Sequence, residues 1–372
     1  QGYLEENVHV IETGHEFRDY FEAIFEFIKG YGDSEEIERL SQDQNLKVFF
    51  EKREYRETLI DTIIQLKQNK RDFSSLNIEN ANNMPEFSGL RKVIDNIIDT
   101  GTAEMGKEIN SKERPNEIWI IDSRLAFHNI PEAFSVRVVS TPQVAAERYF
   151  NAKRGKTDSY NTIEEAYEAR EKRRIGEQKR YMKRYGVDLE DENNYDLIID
   201  TSFSTIDDIS DTILTCLDCY TNKKPFAKKW ASPKTFLPLQ TELTTLKRGE
   251  SKSNFEEMEQ DIRKNGYEPS SSIEIIESDG IRYLINGHHR NFGQARNNKT
   301  LVPYEIIAKD DEKMPKEYRF TPNETAKNRA ATLRSGYLYG HEWLIGETFS
   351  YNEIYPGIYE KLKEQEKAEE SR

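Results

Sequence analysis

The sequence predicts an α/β protein, a parallel-sheet module followed by a smaller α+β module. Short apolar strands at 118–121, 134–139 and 197–199 alternate with helical stretches, the pattern of a parallel sheet with crossover helices. A basic stretch with two prolines, 221–234 (TNKKPFAKKWASPK), then reads as a linker. Beyond it, 235–309 repeats strand and helix on a smaller scale. At roughly 100–200 residues per domain, 372 residues suit two domains or three. The expected division is 1–220, the linker, 235–312 and a helical extension 313–372.

Taken in order, VHVIE at 8–12 reads as a buried strand. Residues 16–29 follow at helical spacing, with Phe17, Tyr20, Phe21, Ile24, Phe25 and Ile28 on one face. Residues 34–70 predict two helices, 70–87 a polar loop and 89–107 another helix. The strand at 118–121 runs into Asp122-Ser123-Arg124, and Thr141-Pro142 opens a helix with proline in its first turn. A highly charged helix covers 162–185, and one at 205–220 follows the strand that ends in Asp200. In the second module Phe236-Leu237, 273–276, 283–285 and 302–307 read as strands, with a turn at Asp279-Gly280 and helices at 254–265 and from Arg290.

Composition narrows the function. Aromatic residues at 11% exclude a largely disordered chain. No run of 18 apolar residues is present, which excludes a membrane-spanning helix. No secretory signal is visible and two cysteines cannot build a disulfide framework, so a cytoplasmic protein is expected. The net charge of −14 opposes general coating of nucleic acid. Its distribution is uneven: residues 223–372 hold 25 Lys+Arg against 24 Asp+Glu, residues 1–222 hold 29 against 44. DNA therefore stays a candidate partner for the second half only. The first residue is Gln1, consistent with a processed or trimmed product.

Two constellations carry chemistry. In the first, Arg124 follows the end of a strand, where open α/β sheets bind ligands. Arg148 comes two helical turns after the next strand, and Arg170, Arg173, Arg174 and Arg180 stud the charged helix. Such arginines suit a transferring phosphoryl group; salt bridges on a solvated helix are the plain alternative. The run from Asp122 to Phe150, the stretch from Glu168 and the element Tyr195–Ser202 (YDLIIDTS) resemble the cytidylate kinase group of P-loop nucleoside monophosphate kinases. Thr13–Arg18 resembles that family's Gly-Asp-x-Phe-Arg turn, which implies acceptor-phosphate binding by Arg18. The resemblance implies phosphate binding by Arg124 and Arg148, charge stabilisation by Arg170, Arg173 and Arg180, and a water-mediated hold on Mg²⁺ by Asp122. It covers about residues 1–216 and departs from the family in three respects: the sequence holds no G-x-x-x-x-G-K-[ST] loop, Ser123 stands where the family often has Gly, and residues 30–117 are longer than the usual acceptor region. Either that loop lies on a segment outside this sequence or the module is a degenerate kinase.

The second constellation is Gly287-His288-His289-Arg290, between a strand and a helix. Free N–H groups at the helix start, a glycine for close approach and a forked guanidinium make an anion site. The histidines could donate hydrogen bonds or act as acid or base; a metal site is disfavoured because adjacent histidines rarely face one ion. A polar helix cap is the plain alternative. With Phe236–Pro238, Gly266–Ser270 and Val302–Tyr304, this turn resembles the ParB/sulfiredoxin superfamily. That implies nucleotide binding at Gly287, His288, His289 and Arg290, and offers Glu242 as a base. Cys216-Leu217-Asp218-Cys219 reads as two ordinary thiols.

The expected function is phosphoryl transfer from ATP or another NTP, with Mg²⁺, to a nucleotide, a nucleoside-like molecule or a modified DNA base. The alternatives are a ParB-like DNA-binding protein or nuclease with a kinase-like scaffold, and a non-catalytic nucleotide sensor. No membrane partner is expected, and the sequence leaves oligomeric state open.

Overall fold

The computed structural model describes residues 7–13, 24, 52–71, 84–111, 117–152, 160–238, 249–337, 344–345, 347–348, 355 and 357–370. Arg18, Glu242 and the predicted helix at 16–29, apart from Ile24, lie outside them. The chain forms two compact units: residues 1–133, 149–165 and 172–194, and residues 134–148, 166–171 and 195–372.

In the first unit, strand β1 (Val8–Glu12) pairs in parallel with β2 (Ile118–Asp122). Helix α1 (Arg53–Gln68) packs on α2 (Ser88–Ser111). Leu59, Leu66, Phe87, Leu90 and Ile94 are almost fully buried there. Short α3 spans Ala126–Asn129.

The second unit holds a seven-stranded mixed sheet. Strands β3 (Val136–Val139), β4 (Leu197–Asp200) and β5 (Lys229–Ala231) run parallel. β5 then pairs antiparallel with β9 (Val302–Lys309), which is parallel to β7 (Ile273–Ser278); β7 pairs antiparallel with β8 (Ile281–Asn286), which is parallel to β6 (Phe236–Pro238). All four residues of β4 are buried: Leu197, Ile198 and Ile199 as the apolar run of a parallel strand, and Asp200 through its ion pair with Arg282 at 3.0 Å. The tight β7–β8 hairpin turns at Asp279 (φ 53°) and Gly280 (φ 77°), the left-handed pair of a two-residue hairpin loop.

The remaining helices follow in chain order. α4 (Pro142–Asn151) follows β3, with proline in its first turn as expected. α5 (Ile163–Tyr185) begins at Thr162, whose Oγ1 accepts from Glu165 N, and stops at Gly186 in the left-handed region (φ 68°). Glu164 and Glu165 in its first turn and Lys183 and Arg184 in its last suit the helix dipole. α6 (Ile206–Thr221), α7 (Gly249–Asn265), α8 (His288–Arg296), α9 (Ala326–Tyr337) and α10 (Ile358–Glu370) complete the set, with a two-stranded ribbon of β10 (Leu344–Ile345) and β11 (Glu347–Thr348). Ile276, Ile281, Tyr283, Phe292, Ala330, Leu333 and Leu362 form the core on one face. Leu197, Ile199, Cys216, Trp230 and Leu301 form another.

One expectation needs correction. The stretch 221–234 does not run free as a linker. Its Lys229–Ala231 is β5, which joins strands from both sides of the expected boundary into one sheet. Trp230, 4% exposed, supplies the reason: burying its ring among Leu197, Ile199 and Leu301 draws this basic segment into the sheet.

Candidate functional site

In the first unit, the carboxyl end of β2 delivers Asp122, whose carbonyl accepts from Thr13 Oγ1 at 3.1 Å. Ser123 Oγ accepts from Leu125 N at 3.3 Å. That tight turn presents Arg124, which forms an ion pair with Glu177 of α5. Arg173, one turn earlier on α5, donates from Nε to Glu177 Oε1 at 2.9 Å. Two guanidiniums thus converge on one carboxylate that is 8% exposed. Burial works against the Arg173 charge, but Glu177 and Tyr149 outweigh it and hold this guanidinium above its ordinary value. Both arginine side chains are about half exposed, 51% and 52%.

More cations crowd the same helix face. Arg180 lies 4.9 Å from the Tyr181 ring centre. Burial, and then the like charge of Arg180, hold Arg91 of α2 below its ordinary value. Arg184 pins α5 to α2 through Asp95 Oδ2 at 2.9 Å and Lys92 O at 3.0 Å. Burial raises the Asp95 carboxyl, against the pull of Arg180 and Arg184. The first unit therefore gathers Arg91, Arg124, Arg173, Arg180 and Arg184 about two part-buried carboxylates. Forked guanidiniums of this kind suit phosphate oxygens.

Sequence reasoning placed Arg124, Arg173 and Arg180 here but missed Glu177, Arg91 and Arg184. Glu177 was legible in part, since it stands four residues after Arg173. Arg148 and Arg170 belong to the second unit. Arg148 donates to Thr201 Oγ1 at 2.9 Å and Thr201 O at 2.6 Å, fastening α4 to the end of β4. Arg170 pairs with the adjacent Glu171 at 2.9 Å.

The second predicted site also forms in the second unit. Gly287 (φ 91°) caps α8, and its N–H is taken by Asn286 Oδ1 at 2.8 Å. A Cβ there would meet Ile273 Cγ2 at 2.8 Å, so both conformation and space require glycine. Arg290 donates to Ser271 Oγ at 2.9 Å and Ser272 O at 2.6 Å. Its guanidinium is thereby tied to the loop before β7. Burial, and then its neighbour His289, push His288 down to about 4, so it is neutral near pH 7 and not poised for acid–base exchange there. The His289 ring lies 5.7 Å from Phe255. Burial pushes the Cys216 thiol up to about 12, in keeping with an unreactive core residue.

Comparison with known proteins finds relatives of part of the chain. No family model matches the chain, and no solved structure matches it. A cytidylate kinase of Methanocella arvoryzae is 30% identical over 146 residues, 39% of this chain and 78% of that enzyme. Over that stretch the chain belongs to the cytidylate kinase family. A second cytidylate kinase, from Thermoplasma volcanium, is 30% identical over 67 residues, 18% of this chain and 35% of that enzyme. An S-adenosylmethionine-dependent nucleotide dehydratase of Lacinutrix mariniflava is 34% identical over 121 residues, 32% of this chain. The chain spans about a quarter of the dehydratase's length (23%). No comparison supports the ParB/sulfiredoxin likeness, which rests on sequence pattern alone.

Proposed function

We propose that this chain acts in phosphoryl transfer from ATP or another NTP to a nucleotide or nucleoside-like acceptor. The observation that carries the reading is the match to a cytidylate kinase over 78% of that enzyme's length. The convergence of Arg124 and Arg173 on Glu177 supports it. In such a transfer the bond between the donor's γ-phosphorus and its bridging oxygen breaks. A new bond forms from that phosphorus to an acceptor oxygen, and the diphosphate leaves. The charge spread over the transferring oxygens is what guanidiniums stabilise.

On this reading, Arg124 and Arg173 exchange Glu177 for phosphate oxygens, and Arg180 adds a third cation. Glu177 keeps the pair aligned between turnovers. Mg²⁺ would supply charge neutralisation on the phosphates. Among the described residues no group of three or more acidic, His or Cys side chains could hold a metal by itself. A phosphate-borne Mg²⁺ needs no such cage, and one carboxylate, Asp122, through water, fits that mode. The acidic first half favours a small acceptor over DNA.

The test is label transfer from γ-labelled ATP with Mg²⁺ to CMP, dCMP, UMP, free serine, plain DNA and hydroxymethylated DNA. Transfer to a nucleotide that is lost in Arg124→Ala and Arg173→Ala supports the proposal. Nucleotide binding without transfer to any acceptor overturns it in favour of a binding module.

A further inference from the structure

The basic stretch 221–234 belongs to neither site described above. It holds five lysines and no acidic residue. Its first residue ends α6 and its middle forms β5, both in the second unit, so folded elements hold these lysines in place.

After α6, Lys223 adopts the left-handed conformation (φ 55°). Its N–H bonds Tyr220 O at 3.1 Å, and that of Lys224 bonds Cys219 O at 2.8 Å. The two bonds define a tight turn that leaves both lysines exposed. Lys228 comes just before β5, where its carbonyl accepts from Ile198 N at 2.7 Å. At roughly 3.3–3.6 Å of reach per residue, its Cα lies within about 14 Å of that of Lys224. Three rings share this run of chain. The Phe134 ring centre is 5.1 Å from that of Tyr220 and 6.0 Å from that of Phe226. Phe134 and Phe226 rest half-buried on the Leu197, Cys216 and Trp230 core, whereas Tyr220 is 39% exposed. Rings and lysines thus alternate: Tyr220, Lys223, Lys224, Phe226, Lys228.

The charges here are open to a partner. Among the described residues no ion pair involves Lys223 or Lys228. Lys224 lies 3.9 Å from Asp218 Oδ2, with both side chains more than 60% exposed. An ion pair so long and so wet contributes little and yields to another anion. Asp218 Oδ1 is already taken by Asn222 Nδ2 at 2.9 Å. The neighbouring Glu268 accepts from Ser270 Oγ at 2.8 Å. The dipole of α6 accounts for cations at its C-terminal end, but neither for Lys228 nor for the rings between the lysines.

We propose that this surface binds single-stranded nucleic acid, with phosphates on Lys223, Lys224 and Lys228 and a base stacked on Tyr220. Lysines that track a backbone and rings that take base faces are the two parts of a single-strand platform. A duplex keeps its base faces stacked inside and offers none to a ring. A membrane surface fits poorly, because Tyr220 alone of the three rings is more than a third exposed and no apolar face is free to insert. The acidic first half opposes wider contact, so the site is short. The proposal does not rest on the kinase reading.

The experiment is fluorescence anisotropy of the full chain with a labelled oligothymidylate of about 16 nucleotides that lacks a 5′-phosphate. A duplex of the same length and vesicles containing phosphatidylserine are the comparison probes. Between about 50 and 200 mM salt the affinity for the single strand should fall about twentyfold, as three phosphate contacts require. Lys223→Gln, Lys224→Gln and Lys228→Gln together should weaken binding at low salt by about tenfold or more and remove most of the salt dependence. Tyr220→Ala should weaken it about fivefold or more at either salt concentration, through the lost stacking. None of these side chains is buried, so the urea midpoints should stay near the parent's. The same change of charge at Lys327, Lys363 and Lys367, exposed on α9 and α10, should alter binding by less than about twofold. Absence of binding at low salt, preference for the duplex or the vesicles, or a triple variant no weaker than this control would overturn the proposal.

Discussion

Arg124 and Arg173 on one side, and Arg290 on the other, are guanidiniums that the sequence marks in the same way, beside a strand end or on a helix above one. The structure gives them different work. Arg124 and Arg173 are half exposed and hold a carboxylate, Glu177, that another anion could replace. Arg290 holds a backbone carbonyl, Ser272 O, and a hydroxyl of the adjoining loop. A carboxylate and a phosphate are alternative partners of one kind, whereas a carbonyl that loses its donor inside a turn is left unpaired. On the proposed reading, the first pair exchanges its carboxylate for phosphate during transfer. The second fastens a loop to the helix that follows it.

Transfer activity offers the largest way to break this comparison. Removing one charge-stabilising donor from a transfer site costs about 10²–10³-fold in turnover. Arg173→Ala and Arg124→Ala are each expected to show losses of that order in the label-transfer assay, with urea midpoints close to the parent's. Arg290→Ala should show the reverse. If Arg290→Ala abolishes transfer at unchanged stability while Arg173→Ala does not, the assignments of the two sites are exchanged.

Gly287→Ala comes next. A side chain in the left-handed region costs about 1–2 kcal/mol, and overpacking against a fixed neighbour about 1–3 kcal/mol more. With φ at 91° and Ile273 Cγ2 2.8 Å from the new Cβ, both apply. Urea unfolding should register a loss of about 2–5 kcal/mol. A loss under about 0.5 kcal/mol, the range of ordinary surface changes, would mean the turn is not built as described. Arg290→Ala follows at about 1.5–3 kcal/mol, the worth of a hydrogen bond to a charged group.

The same comparison shows what was legible in the sequence. The apolar run Leu197–Ile199 announced a buried parallel strand, and Asp279-Gly280 announced its hairpin, because each is fixed by local chemistry. Lys229–Ala231 did not announce β5, because only pairing with β4 and β9 and burial of Trp230 make a strand of it. The positions of Arg124, Arg148, Arg173 and Arg290 were legible, but their partners were not. Thr201 O and Ser272 O are backbone atoms with no signature in sequence, and Glu177 meets Arg124 only through folding. A guanidinium's place on an element is thus readable from sequence, whereas whether it faces a ligand or a carbonyl is not.

The smallest expected effect sharpens the account of the Gly287 turn by pH. His288 takes a proton at about 4 in the folded chain against an ordinary 6.5, because burial disfavours its charged form. As pH falls below 6.5 the unfolded chain binds this proton first, so the stability present above 6.5 is lost progressively toward 4. Linkage puts the loss at about 1 kcal/mol at pH 6 for this group alone. His288→Gln, which cannot take the proton, should flatten the stability profile between pH 6.5 and 4 by that one proton, with little change at pH 8. A phosphate bound at the helix start would favour the charged imidazole and lift its pKa toward neutrality. An NMR titration of His288 with inorganic phosphate present therefore decides between the two roles of the turn. A midpoint that stays near 4 belongs to a neutral, packed cap, and one that climbs with phosphate belongs to an anion site after all.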